Sequence, residues 1–237
     1  MIDKNKVKAF WDARAEKYGM LDFNSIANLE EDPQNLALKI QLETTKVVEY
    51  MQSVEGRTIL DLGAGVGQWA FRFVERGASR VVAVEYSKEL VDLGRKEARV
   101  RNVSNLDFVV SAAEDYISDA QFDVVFISGL FVYMNDDQAE KLAARLSTHC
   151  NKNTILLLRD GTALENRYII DNRLSEHLKT QYSALYRTAN EYQNLFEQAG
   201  FKLQKHENMF DEECPLNKYP ETRLRIYRFA PTFDGGE

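Results

Sequence analysis

Gly63, Gly65 and Gly67 occupy alternate positions in the run Asp61-Leu62-Gly63-Ala64-Gly65-Val66-Gly67, directly after the apolar residues Ile59 and Leu60. Glycines spaced in this way let a backbone turn sharply and come against a ligand where any Cβ would collide. Glu85 follows the next apolar run, Val81 to Val84. A carboxylate at that distance from the loop can accept hydrogen bonds from both hydroxyls of a ribose. The chemistry these residues suit is the binding of a nucleoside-containing cofactor.

Two cofactor classes use such a turn. A dinucleotide places its pyrophosphate at the N-terminus of the following helix, where unpaired N–H groups favour an anion. Here Asp61 stands just before the loop, and Gln68 and Trp69 occupy its exit. A carboxylate at Asp61 sits badly beside a pyrophosphate and well beside an ammonium group and a sulfonium. The charges therefore favour S-adenosylmethionine over NAD.

Short apolar runs and helical patterns alternate through the middle of the chain, and these elements must position the loop. Strands are expected over Thr58–Leu62, Arg80–Val84, Leu106–Val110, Phe122–Ile127 and Thr154–Leu158, with helices over Gln68–Glu75, Ser87–Arg101 and Asp136–Leu146. This rhythm predicts a parallel sheet covered on both faces, with ligands at the carboxyl ends of its strands. A helix over Ala189–Gln198 ends at Gly200, and two further strands, Phe201–Met209 and Thr222–Ala230, form an antiparallel pair.

The 237 residues suffice for one sizeable core, so residues 1–237 read as a single domain with a local cap. Apolar residues make up 44% and charged residues 28%, the balance of a globular chain. Thirty basic against 37 acidic residues give a net charge of −7, which shows no general phosphate-backbone footprint. No apolar run reaches the roughly 20 residues needed to span a bilayer, and a cytoplasmic protein is expected. Cys150 and Cys214 lack metal-ligand spacing, so no metal site is expected.

The first 50 residues read as a helical lid. Val7, Phe10 and Trp11 lie at near-helical spacing, and Asp32-Pro33 marks a second helix start. Residues 160–189 read as a cap inserted after the fifth strand, rich in tyrosine and arginine. The lid aromatics either pack on the main domain or exclude water from the cofactor pocket.

With these motifs together, the chain resembles the class I S-adenosylmethionine-dependent methyltransferase family over about Thr58 to Phe229, on the Asp61–Gly67 loop, Glu85, Ala113-Glu114-Asp115 and Phe126-Ile127-Ser128-Gly129-Leu130. The resemblance implies a Rossmann-like α/β sheet of seven strands in the order 3-2-1-4-5-7-6, strand seven antiparallel, with helices on both faces. It implies that Gly63, Ala64 and Gly65, in the loop ending at Gly67, lie against the methionine part of the cofactor and that Glu85 binds its ribose. Asp115 or its neighbour Glu114 would take the adenine amino group, with Tyr86 and Ala113 lining the ring. Asp115 is equally a helix-capping residue by type. Ser128 and Gly129 would lie near the methyl donor, Trp69 is either a cofactor contact or core, and Tyr18 would cap the cofactor carboxylate.

Methyl transfer needs alignment and desolvation of an acceptor more than a strong catalyst. The acceptor site is expected at the exit of strand four and in the cap, from Phe131, Tyr133, Arg159, Tyr182, Tyr186 and Arg187. Arginine holds a carboxylate or phosphate bidentately, so a small polar acceptor, anionic or sugar-like, is expected, methylated on oxygen or nitrogen. Catalytic candidates are Tyr133 as an orienting hydroxyl, His177 as a general base and Arg159. His149 and His206 read as structural or solvated. Ser128-Gly129-Leu130-Phe131 carries neither the amino-methylation motif of DNA enzymes nor a catalytic cysteine, so no nucleic acid and no membrane partner is expected. The assembly is a monomer or homodimer. The alternatives are a protein methyltransferase and an inactive cofactor-binding partner subunit.

Overall fold

The computed structural model describes residues 1–17, 20–175 and 180–232. Along the chain the strands are β1 (Thr58–Leu62), β2 (Arg80–Glu85), β3 (Leu106–Val110), β4 (Phe122–Ser128), β5 (Cys150–Ala163), β6 (Tyr168–Ser175), β7 (Thr180–Thr188), β8 (Phe201–Asn208) and β9 (Thr222–Pro231). The helices are α1 (Lys4–Glu16), α2 (Phe23–Asn28), α3 (Pro33–Met51), α4 (Gln68–Val74), α5 (Lys88–Val100), α6 (Asp136–Leu146) and α7 (Ala189–Gln198).

β1 to β5 pair in parallel in the order β3-β2-β1-β4-β5, and β9 then pairs antiparallel with β5 and with β8. This is the expected Rossmann-like arrangement, with β8 and β9 in the sixth and seventh places. Side chains alternate across the parallel strands. Ile59, Val124 and Phe126 join one buried cluster, whereas Leu60, Val125 and Ile127 join the cluster on the other face. Burial on both sides explains why these strands are almost unbroken apolar runs.

The sheet is larger than the seven strands expected. The segment after the fifth strand forms β6 and β7, an antiparallel hairpin. β5 also continues to Ala163 instead of stopping at Leu158, because β9 pairs with it from Leu156 to Ala163. Thr162 and Ala163 pair in parallel with Arg187 and Thr188 as well, on the edge that β4 has vacated beyond Ser128. The hairpin thus stands over the carboxyl end of β4, which is where a site is built.

Helix ends are set by local chemistry. Asp32 accepts from the Asn35 N–H at 2.8 Å and Pro33 follows it, starting α3. Thr188 and Glu191 form a reciprocal capping box at the start of α7. At the N-terminal end, Val7, Trp11 and Ala15 of α1 pack with Ile26, Val66 and Leu90 in a third cluster. Asp12 of α1 accepts from the Ser87 hydroxyl at 2.8 Å, which ties the first helix to the end of β2.

Candidate active site

A cavity of about 940 Å³ opens at the carboxyl ends of β1, β2, β4 and β5, with α1 on one side and the β6–β7 hairpin on another. Its floor is the glycine loop. The N–H groups of Gly63 and Ala64 both donate to the Val84 carbonyl, at 2.9 and 3.0 Å. Gly65 has a φ of +59°, and a Cβ there would stand 2.9 Å from that of Ala27. Gly67 has a φ of +83° and lies against the Phe108 ring, so it shapes the loop without lining the cavity. That corrects the expectation of a cofactor contact at Gly67.

Two buried acids flank the loop. Glu85 accepts from Gly65 N–H at 3.0 Å and from Ser87 N–H at 2.9 Å, and burial raises its pKa against those bonds. Asp61 is 1% exposed, and its Oδ2 has no hydrogen-bond partner. Burial, and after it the neighbouring Glu85 carboxylate, push the Asp61 pKa up to about 8. Such a carboxylate has a place for one more donor, preferably cationic.

Tyr86, Ala113 and Glu114 line the next part of the cavity. Glu114 is buried and accepts from the Gln138 amide at 3.0 Å. Asp115 does not line this wall: its carboxylate is 60% exposed and pairs with Lys141 at 2.6 Å, which holds its pKa below the usual range. Of the two acids considered for the adenine, geometry leaves Glu114.

On the opposite side, Ser128, Gly129, Trp69 and Arg159 line the wall together. Arg159 donates to the Ser128 hydroxyl at 2.8 Å and forms an ion pair with Glu43, which is fully buried on α3. Its guanidinium carbon also lies 5.7 Å from the centre of the Trp69 indole, and that of Arg72 lies 4.5 Å from it. Trp69 is therefore both core, against Phe73 and Phe126, and cavity wall. Lys39, also of α3, donates to the Asn28 carbonyl at 3.0 Å, and burial draws its pKa down to about 8.

At the far end Tyr133, Tyr182 and Tyr186 share one wall, with the Tyr133 and Tyr182 hydroxyls 3.0 Å apart. Phe131 is not among them. It is fully buried and packs on Tyr192 and Phe196, a core residue that the apolar run did not distinguish from a site residue. Arg187 is also corrected. It is 2% exposed and donates to the carbonyls of Phe131 and Met134 at 2.9 and 3.0 Å and to Asp136 at 2.7 Å. Its guanidinium bolts the β4 exit to β7 and does not line the cavity. Tyr18 and His177 lie outside the described residues. His149, which packs on Tyr116, and His206, which stacks on Tyr227, are both away from the cavity.

Gln68, placed at the loop exit from sequence, also lines the wall. Other wall residues were not singled out: Lys39 and Glu30 come from the N-terminal helical region, and Asp160 follows Arg159 on β5. Asp160 carried a signal in principle, since an acid at the end of an apolar strand is seldom tolerated without a reason.

Residues 59–153 match the family model of a methyltransferase domain. Phosphoethanolamine N-methyltransferase 1 of Triticum aestivum is 28% identical over 109 residues, 44% of this chain and 21% of that protein. The cypemycin N-terminal methyltransferase of a Streptomyces species is 39% identical over 90 residues, 38% of this chain and 35% of that one. The chain thus spans about a fifth to a third of the length of these curated relatives. The crystal structure of Burkholderia thailandensis 1,6-didemethyltoxoflavin-N1-methyltransferase, with 1,6-didemethyltoxoflavin and S-adenosylhomocysteine bound, shares the fold at a TM-score of 0.68 and 15% identity, over 98% of this chain and 92% of that one. The glycine loop, the sheet order and the match over residues 59–153 together support a class I S-adenosylmethionine-dependent methyltransferase.

Proposed function

We propose that this protein transfers a methyl group from S-adenosylmethionine to an oxygen or nitrogen of a small polar metabolite, one with an anionic or sugar-like part. The observation that carries the reading is Asp61, a buried carboxylate with an unpaired oxygen on the wall beside a loop whose Gly65 admits no Cβ. An ammonium group supplies the donor that Asp61 lacks, whereas a pyrophosphate would be repelled there. Glu85 suits ribose hydroxyls, Tyr86, Ala113 and Glu114 suit adenine, and Ser128 and Gly129 suit the methionine part. Lys39 is a candidate partner for the cofactor's carboxylate.

When bound, S-adenosylmethionine supplies a methyl group on a positively charged sulfur that departs as a neutral thioether. The chain's own task is then to hold, align and dry the acceptor. Trp11 of α1 and Tyr182 of β7 line the cavity from two different elements, and aromatic rings so placed suit the exclusion of water. Tyr133 offers a hydroxyl to orient the acceptor, and Arg159, already paired with Glu43, stiffens the wall behind Ser128. In this reading residues 1–50 are the lid and residues 160–189 the acceptor cap.

Purified protein incubated with methyl-labelled S-adenosylmethionine and a cell extract tests the reading. Label in the small-molecule fraction supports it, and label confined to protein favours the second reading, methylation of a peptide. That alternative is favoured by the similarity to the cypemycin N-terminal methyltransferase. Cofactor binding with no transfer to any fraction would identify an inactive partner subunit.

A further inference from the structure

The acceptor end of the cavity combines aromatic faces with a buried carboxylate. Trp11 and Tyr133 meet at 90° with ring centres 5.4 Å apart, and Tyr133 and Tyr182 meet at 90° with centres 6.1 Å apart. All three rings line the cavity, as does Tyr186, whose ring lies so close to the backbone that a Cβ on Gly161 would come within 2.6 Å of it. Asp160 adjoins this wall and is 0% exposed. Its two oxygens accept from the backbone N–H groups of Phe131 and Gly161, each at 2.8 Å.

Among the described residues, no cation forms an ion pair with Asp160. The nearby guanidiniums are engaged elsewhere, Arg159 with Glu43 and Ser128, and Arg187 with Asp136 and two carbonyls. Burial raises the Asp160 pKa to about 7, against its two backbone bonds and the weaker pull of the Arg159 and Arg187 charges. A buried carboxylate in no direct ion pair, beside inclined electron-rich rings, favours positive charge in the space they share.

We propose that this end of the cavity receives a nitrogen: the acceptor is an amine, and its methylated ammonium form is held against Trp11, Tyr133 and Tyr182 in the field of Asp160. The inference rests on the methyltransferase reading and narrows its acceptor class. The amine reacts from its neutral form, after the ammonium has released one proton to solvent; its lone pair then forms the new N–C bond while the electrons of the methyl–sulfur bond stay on sulfur. The positive charge passes to nitrogen, and an N–H proton leaves to solvent afterwards. A carboxylate or phosphate as the methylated group would meet the Asp160 field with the wrong sign.

The test uses the whole protein saturated with S-adenosylhomocysteine and two probes of the same shape, choline and 3,3-dimethyl-1-butanol, in which carbon replaces the charged nitrogen. Calorimetric titration is expected to show choline binding tighter by about tenfold or more. Tyr182→Phe keeps the preference and Tyr182→Leu loses it, while S-adenosylhomocysteine affinity is unchanged in both. Equal binding of the two probes, a preference for the neutral one, or no binding of choline would overturn the inference. The wild-type comparison decides the matter even if the leucine variant does not fold. Failure of S-adenosylhomocysteine to bind would overturn the methyltransferase reading itself, and the amine assignment with it.

Discussion

The backbone N–H of Gly65 donates to Glu85 Oε2 at 3.0 Å, so the carboxylate that ends β2 also shapes the loop in front of it. Glu85→Ala removes the partner of Gly65 and Ser87 together with the acceptor for ribose hydroxyls. S-adenosylhomocysteine affinity is expected to fall by about 1–3 kcal/mol. Isothermal titration measures this, and an unchanged dissociation constant would remove Glu85 from the site.

Asp61 gives a pH dependence of defined sign. Its folded pKa of about 8 lies above the ordinary 3.8, so the native chain binds the extra proton between those values. The stability it contributes is complete below about pH 4 and is lost as pH rises through about 8. Glu85 is shifted the same way by burial. An ammonium ligand favours ionised Asp61, so the rise in Tm caused by S-adenosylhomocysteine should grow with pH over that window. Thermal denaturation of wild type and Asp61→Asn across pH isolates the effect as their difference. A difference of opposite slope would contradict the assignment.

Arg187→Ala should act on folding. Its guanidinium is buried and satisfies two carbonyls and Asp136, so its loss leaves buried acceptors without donors. A stability loss of about 3 kcal/mol is expected in urea denaturation, with S-adenosylhomocysteine affinity retained in the folded fraction. A fully stable variant would mean that the bolt between the β4 exit and β7 is dispensable.

Gly94 lies inside α5, where replacement by alanine ordinarily stabilises by about 1 kcal/mol. Here a Cβ would stand 2.5 Å from the Phe108 ring and 2.8 Å from the Val66 carbonyl oxygen. Overpacking of this kind costs about 1–3 kcal/mol, so Gly94→Ala should destabilise on balance. A raised Tm would show that the contact relaxes freely.

The parallel half of the sheet was legible because burial on both faces leaves continuous apolar runs, and α6 and α7 because their apolar spacing and caps agree. The β6–β7 hairpin was not. Tyr168, Arg173 and Arg187 interrupt its alternation, since the hairpin borders a cavity and a polar surface instead of a second apolar layer. At the site, the loop and Glu85 could be read because backbone geometry demands particular residue types there. Phe131 and Arg187 misled because packing and ligand contact draw on the same side chains. Lys39 was hidden because only the fold brings α3 to the cavity, whereas Asp160 stood beside Arg159 at the end of an apolar strand and was passed over.

The most direct measurement is a calorimetric titration of folded protein with S-adenosylhomocysteine, repeated with Asp61→Ala. The expected result is saturable binding at one site per chain, clearly weakened in the variant. Absence of binding in the wild-type protein, or equal binding in both, would contradict the assignment of this cavity to the methyl donor.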